Sequence, residues 1–231
     1  MKIHGLQKMT LLDFPGRVAC TVFLGGCEFR CPFCHNSELL DANKAPAVMD
    51  DEELLSFLKK RKGLLDGVCI TGGEPLLRGD LRTLIERIKG MGYPVKLDTN
   101  GNHPGILAEL VENGLLDYVA MDIKNDEERY AKTCGLNSMD FSTIRESISI
   151  LKEKQSEYEF RTTAVDELHD ENSFLNIAQM IRGAKRYYLQ AFKDRDTVKF
   201  SGFHAPGKEK MEKYLSIVKP YVQEIQLRGV E

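Results

Sequence analysis

The sequence of 231 residues contains no tryptophan and shows no clear excess of either charge. Its 32 Lys and Arg residues nearly balance 35 Asp and Glu residues, and a net charge of −3 gives no electrostatic reason to expect a nucleic-acid partner. No apolar run is long enough for a signal peptide or a membrane-spanning helix. We find no internal repeat and no low-complexity segment, which argues against a solenoid. These absences predict a cytoplasmic protein without a membrane partner.

The composition is that of an ordinary globular chain, with 42% hydrophobic and 29% charged residues. This balance argues against disorder, collagen and coiled coil. At roughly 150 residues per domain, the length favours one domain over two. We therefore expect residues 1–231 to form a single domain with a sizeable core.

Cysteine is the informative residue type. The chain has six cysteines, and half of them lie within eight residues. In a cytoplasmic protein, clustered cysteines bind metal or perform redox chemistry more often than they form disulfides. The three clustered residues are therefore the candidate metal ligands, and the scattered ones on predicted strands are small core residues. The cluster is Cys27, Cys31 and Cys34; Cys20 and Cys69 lie on predicted strands, and Cys134 lies in a polar segment where its role stays open.

Short apolar segments rich in Val, Ile, Tyr and Phe alternate with helical patterns along the chain. Such segments are typical of strands buried in a parallel sheet. A capping box formed by Asp50 and Glu53 begins one helix, and Leu and Ile at 81, 84, 85 and 88 give another helix an apolar face. The predicted strands are 18–24, 68–71, 95–98, 118–123, 158–165, 186–192 and 222–227, and further helices are 104–113, 141–155, 173–182 and 208–218.

Six strand–helix units predict an α/β fold with a parallel sheet. A doubly wound sheet and a partial (β/α)6 barrel both fit this pattern. A complete eightfold barrel does not, because it needs about 250 residues and two more units. Glycine and polar residues cluster directly after the strands, so the ligand site is expected at the carboxyl edge of the sheet.

The three clustered cysteines read C-x3-C-x2-C. Three thiolates on a short loop can hold three irons of a cubane cluster, which usually takes four cysteines, and one iron would then stay open for another ligand. A zinc site is the alternative, since His35 would complete a Cys3His set. Adjacent side chains such as Cys34 and His35 rarely converge on one metal, but a non-catalytic zinc-binding module remains an alternative.

With Phe33 before the third cysteine, this motif resembles that of radical S-adenosylmethionine (radical SAM) enzymes. The resemblance implies a partial (β/α)6 barrel and a [4Fe–4S] cluster on Cys27, Cys31 and Cys34. It also implies that S-adenosylmethionine binds the open iron, with Phe33 near its adenine. One-electron reduction of the cofactor yields a 5′-deoxyadenosyl radical in this family.

Further loops resemble those that bind the cofactor in the same family. The Gly-Gly-Glu-Pro sequence that follows the second predicted strand resembles a loop that binds the amino group of the cofactor, and an Asp-Thr-Asn-Gly loop resembles one that lies beside it in glycyl radical activases. An Asp-x-Lys sequence resembles one whose aspartate helps to hold a monovalent cation near the cofactor carboxylate, although a plain ion pair fits it equally. Two further residues fall where the family has cofactor contacts, and a structural role for each is equally open. The Gly-Gly-Glu residues are Gly72, Gly73 and Glu74, and the Asp-Thr-Asn residues are Asp98, Thr99 and Asn100. The Asp-x-Lys residues are Asp122 and Lys124, and the two further residues are Arg161 and Gln190.

The sequence around the cluster indicates a branch of the family. Cys-His-Asn at 34–36 is typical of glycyl radical enzyme activating proteins, and Asp-Phe-Pro-Gly at 13–16 resembles activating proteins of anaerobic ribonucleoside-triphosphate reductase. The resemblance implies that the protein generates a glycyl radical on a partner enzyme, with an electron from a donor such as flavodoxin or ferredoxin. Activation of pyruvate formate-lyase, or radical SAM chemistry on a small molecule, are the alternatives.

Overall fold

The computed structural model describes residues 2–230. All seven predicted strands are present, with ends that differ by at most two residues from the predicted ones. Three short or exposed strands near the N-terminus were not predicted. The full set of strands in residues 2–230 is β1 (Lys2–Ile3), β2 (Gly5–Thr10), β3 (Ala19–Leu24), β4 (Met49–Asp50), β5 (Gly67–Gly72), β6 (Val95–Thr99), β7 (Tyr118–Asp122), β8 (Tyr158–Ala164), β9 (Arg186–Ala191) and β10 (Glu224–Arg228). The strands that were not predicted are β1, β2 and β4.

Eight of these strands form one sheet in the order β10-β9-β8-β7-β6-β5-β3-β2. Neighbouring strands from β3 to β10 are parallel, and only β2 runs antiparallel to its neighbour β3. Within residues 2–230 the two edge strands, β2 and β10, do not pair with each other, so the sheet stays open. This arrangement confirms the predicted α/β fold with an unclosed, mainly parallel sheet.

Helices follow most strands and cover one side of the sheet. The capping box predicted for the first helix is present, with the Asp50 side chain accepting from the main-chain N–H of Glu53 and the Glu53 side chain accepting in return. The short helix at Glu127–Thr133 was not predicted. The helices are α1 (Asp51–Lys60), α2 (Leu81–Gly90), α3 (Pro104–Glu112), α4 (Glu127–Thr133), α5 (Ser142–Lys154), α6 (Glu171–Met180) and α7 (Lys208–Val218).

The two faces of the sheet differ in chemistry. Residues such as Leu97, Val119 and Phe160 belong to the large apolar core that the helices cover. Their neighbours along the strands point to the opposite, concave face because side chains alternate in a strand. That face carries charged residues, among them Lys96 and Asp98. No helix in the described part of the chain combines the length and the apolar character needed to cross a membrane.

Candidate active site

A cavity of about 380 Å³ opens at the carboxyl edge of the parallel strands. This is where ligand sites of such folds lie. It brings together most of the residues singled out in the sequence, although they come from six different strand ends. A larger groove of about 730 Å³ lies on the outside of the molecule, among residues of α4, α5 and α6. The predicted site residues that line the cavity are Cys27, Cys31, Phe33, Cys34, Gly72, Gly73, Asp98, Thr99, Asn100, Asp122, Lys124, Arg161 and Gln190.

The three clustered cysteines are free thiols that face this cavity. Their loop is shaped by main-chain bonds, with the N–H of Cys27 donating to Leu40 (3.2 Å) and the N–H of Cys34 donating to Cys31 (3.2 Å). Burial raises the pKa of Cys27 to about 12. A hydrogen bond with Cys134 lowers the pKa of Cys31 despite its burial. Three thiols directed into one cavity fit the ligand set of a cubane cluster with one open iron.

The Gly-Gly loop after β5 lies against the start of the cysteine loop. The N–H of Gly73 donates to the carbonyl of Leu24 (2.8 Å), and the N–H of Glu74 donates to the carbonyl of Gly26 (2.7 Å). A Cβ atom on Gly73 would lie 2.2 Å from the carbonyl oxygen of Gly26, which no side chain tolerates. Glycine at position 73 is therefore required for the two loops to meet backbone to backbone.

Glu74 does not line the cavity and is fully buried. Its carboxylate accepts from the hydroxyl of Thr99 (2.8 Å) and the main-chain N–H of Asn100 (2.6 Å), as well as from Leu76 (3.0 Å). Burial raises the pKa of Glu74 to about 7. The side chain thus fixes the loop after β6.

A chain of alternating charges crosses the concave face of the sheet. Arg161 lies between two carboxylates, 3.2 Å from Asp98 and 2.8 Å from Asp122. Lys124 contacts Asp122 at 2.9 Å, and Lys96 lies 3.4 Å from Asp98. Burial alone would raise the pKa of Asp122, but the charges of Arg161 and Lys124 outweigh it and hold that pKa well below its usual range. The Asp-x-Lys sequence therefore forms an ion pair here.

Phe33 and His35 lie on the side of the cavity formed by the end of β9. Phe33 is buried and packs edge-on against Phe192, with ring centroids 6.5 Å apart. The ring of His35 stacks on the same Phe192, and its Nε2 lies 2.6 Å from the carbonyl of Lys193. His35 would have to leave both contacts to complete a zinc site. Within residues 2–230, no three His, Cys, Asp or Glu side chains converge closely enough to hold a single metal ion.

Several cavity residues escaped the sequence prediction. Asp13 lies in the cavity wall, and its carboxylate accepts from the hydroxyl of Thr21 (2.6 Å). Asn36 donates to the carbonyl of Gly72 (2.8 Å) and so ties the cysteine loop to the Gly-Gly loop. Asp13 belongs to the motif at 13–16 and Asn36 to the motif at 34–36, and membership of these motifs is the sequence signal that could have identified them as cavity residues. Thr163 on β8 carried no signal beyond its strand.

Comparison with known proteins identifies the family of the chain. Residues 21–180 match the family model of the radical SAM superfamily. The chain belongs to the radical SAM superfamily. It is therefore a radical SAM enzyme, and its family implies a [4Fe–4S] cluster and S-adenosylmethionine.

Two relatives of this radical SAM enzyme are similar to it along most of their length. It is 30% identical to a protein of Methanocaldococcus jannaschii named "Putative glycyl-radical enzyme activating enzyme", over 99% of this chain and 96% of that protein. It is 28% identical to the pyruvate formate-lyase-activating enzyme of Clostridium pasteurianum, over 81% and 80% of the two chains. The structure of a radical SAM methyltransferase from Sphaerobacter thermophilus aligns with a TM-score of 0.74 at 15% identity, over 95% of this chain and 68% of that one, and shows the shared fold.

Proposed function

We propose that this radical SAM enzyme activates a glycyl radical enzyme. The observation that carries the proposal is the cavity at the sheet edge, into which the three free thiols of the C-x3-C-x2-C loop point beside the Gly-Gly loop. Similarity over nearly the whole chain to a protein named for this activity supports it. The proposal includes residues 1–231 acting as one radical SAM domain in the cytoplasm.

In this proposal, Cys27, Cys31 and Cys34 hold the cluster and leave one iron for S-adenosylmethionine. Once bound, the reduced cluster would supply one electron for cleavage of S-adenosylmethionine, and the cofactor's 5′-deoxyadenosyl group would serve to remove a hydrogen atom from the α-carbon of a glycine in the partner. Lys124 and Arg161 line the cavity as cations and suit the carboxylate of the cofactor.

The remaining cavity residues orient the cofactor. Gly72 and Gly73 let the main chain approach its amino group, and Phe33 offers an apolar surface to its adenine. Thr99, Asn100 and Gln190 add polar contacts along the wall. A monovalent cation beside Asp98 and Asp122 is part of the proposal on the strength of the resemblance alone, because both carboxylates already pair with Arg161.

The proposed partner is anaerobic ribonucleoside-triphosphate reductase, on the strength of the Asp-Phe-Pro-Gly sequence at 13–16. That segment contributes Asp13 to the cavity wall, where a substrate loop would meet it. Pyruvate formate-lyase is the second candidate, favoured by the similarity to its activating enzyme from Clostridium pasteurianum. Flavodoxin or ferredoxin would supply the electron.

Anaerobic reconstitution tests the proposal directly. The protein with iron, sulfide and a reductant should bind about four irons per chain and convert S-adenosylmethionine to 5′-deoxyadenosine. Mixed with anaerobic ribonucleotide reductase, and separately with pyruvate formate-lyase, it should give a glycyl radical signal in electron paramagnetic resonance with one of them. Cofactor cleavage without any glycyl radical would instead favour a small-molecule substrate, and bound zinc without cleavage would favour a non-catalytic module.

The Gly-Gly loop gives a sharper test of the cofactor site. Replacing Gly73 with alanine forces a Cβ into the carbonyl of Gly26 and pushes the cysteine loop and the Gly-Gly loop apart. We expect the affinity for S-adenosylmethionine, measured by equilibrium binding to the reconstituted protein, to fall by about 10- to 100-fold, or 1.4 to 2.7 kcal/mol. Gly79→Ala is the matched control because a Cβ there meets nothing within 4 Å. Equal affinities of the two variants would remove the assigned role of Gly73.

A further inference from the structure

Glu28 follows the first cysteine of the cluster motif directly, and its side chain joins two loops. One carboxylate oxygen, Oε1, accepts three hydrogen bonds, from the amides of Asn100 (3.2 Å) and Asn102 (3.2 Å) and from Nε2 of His103 (3.1 Å). All three donors belong to the loop after β6. A single oxygen atom therefore ties the cysteine loop to a loop more than seventy residues away in sequence.

The amide of Asn100 has only one orientation that satisfies its neighbours. Its Oδ1 accepts from the main-chain N–H of Asn102 (2.9 Å), so its Nδ2 must face Glu28. The same Nδ2 lies 3.9 Å from the sulfur of Cys27, within the distance of a hydrogen bond to sulfur. The main chain of Asn100 is meanwhile fixed by the buried carboxylate of Glu74. Glu74 thus holds the main chain of Asn100, while Asn102 and Glu28 hold its side chain.

The loop that carries these donors is itself braced. Asn102 accepts from the hydroxyl of Thr143 on α5 (2.8 Å), and the carbonyl of Gly101 accepts from the buried hydroxyl of Ser147 (2.6 Å). With the loop held in place, two contacts direct the Asn100 amide: the N–H of Asn102 on its oxygen and the carboxylate of Glu28 on its nitrogen. Glu28 itself does not line the cavity, so it acts through Asn100.

We propose that Glu28 is a positioning residue for the iron–sulfur cluster: it holds the Asn100 amide against the Cys27 sulfur and thereby raises the reduction potential of the cluster. An N–H group directed at a ligand sulfur stabilises the additional negative charge of the reduced cluster, and such hydrogen bonds are among the factors that set its potential. The proposal rests on the assignment of Cys27 as a cluster ligand in the proposed function.

Two substitutions of Glu28 separate the effect of its hydrogen bond on the cluster potential from the effect of its negative charge. Glu28→Gln and Glu28→Ala both remove the negative charge, but only glutamine keeps an oxygen that can accept from Asn100. Each protein is reconstituted anaerobically, its iron content is measured, and the midpoint potential is obtained from a redox titration followed by electron paramagnetic resonance. We expect a more negative potential for Glu28→Ala than for Glu28→Gln. Equal potentials, or a higher one for the alanine variant, would overturn the proposal.

Further variants test whether the effect passes through Asn100. With Asn100→Leu, which removes the donor, the two Glu28 variants should have the same potential, because interacting residues are not additive. A difference that persists in this background would contradict the proposal. The Asn100→Leu protein alone should also have a more negative midpoint potential than the wild type. This comparison with the wild type tests the proposal if the Glu28→Ala protein fails to retain the cluster.

The exposed Glu38 provides the matched control, since it lies on the same loop, after the third cysteine. Its Gln and Ala variants should have equal potentials. A difference as large as that at Glu28 would show that the measurement reports side-chain size rather than the Asn100 bond. A wild-type protein that binds no cluster, or binds one and never cleaves S-adenosylmethionine, counts against the proposed function, whereas the potentials of the variants test Glu28 alone.

Discussion

Replacing Cys31 with alanine is expected to abolish cleavage of S-adenosylmethionine while leaving the fold in place. The thiol is one of only three cluster ligands in the proposed site, and none of the other cysteines belongs to the motif. The loop around it is held by main-chain bonds that survive the substitution, including that from Arg30 to the carbonyl of Cys134 (2.8 Å). Iron content should drop well below about four per chain, and 5′-deoxyadenosine should fall below detection.

Cys20→Ala is the control for this experiment. Cys20 is fully buried on β3 and belongs to the apolar core, not to the cavity wall. Its loss should cost about 1 kcal/mol of unfolding free energy and leave both iron content and cleavage near wild type. Measured under the same anaerobic conditions, a Cys31→Ala protein that still cleaves the cofactor would show that the ligand assignment is wrong.

The sequence predicts β3, β5 and β7 well because they read as nearly continuous apolar segments, and β6 and β8 because their apolar residues alternate with polar ones. The edge strand β2 was missed because half of its residues are exposed and polar residues interrupt its apolar pattern. Helix α4 spans only seven residues and has no long apolar face, so periodicity could not reveal it.

The candidate site was predictable where its residues are neighbours in sequence. The cysteine loop and the Gly-Gly loop are local motifs, and the structure brings both to one cavity. Contacts between distant loops produce no local motif in the sequence, as the hydrogen bond between Glu28 and His103 illustrates. Glu74 shows a second limit: its place in a motif suggested a cofactor contact, but nothing in the motif indicated that its carboxylate is buried beneath the loop after β6.

Replacing Arg161 with methionine is expected to destabilise the protein strongly as well as to weaken cofactor binding. The guanidinium bridges Asp98 and Asp122 on neighbouring strands, and the side chains of Arg161 and Asp98 are only 15% exposed. Methionine fills a similar volume but leaves two carboxylates on the concave face with less compensating charge. Removing one partner of a buried ion pair costs about 3 to 5 kcal/mol of unfolding free energy. Urea denaturation at neutral pH measures this loss.

The pH dependence of the lost unfolding free energy shows whether the loss comes from the missing charge of Arg161 or from poorer packing of the methionine side chain. The pKa of Asp122 is held below its usual range in the folded protein, so its ion pairs contribute stability above the unfolded pKa of about 3.9 and lose it as the pH falls. The difference between wild type and Arg161→Met should therefore be largest at neutral pH and shrink towards about pH 3. Arg82→Met is the control, because Arg82 pairs with Glu86 and Glu109, whose side chains are about half exposed, and its loss should cost about 1 kcal/mol or less. A loss at Arg161 that stays constant across this pH range would mean that packing, and not the charge shared between Asp98 and Asp122, is what the guanidinium provides.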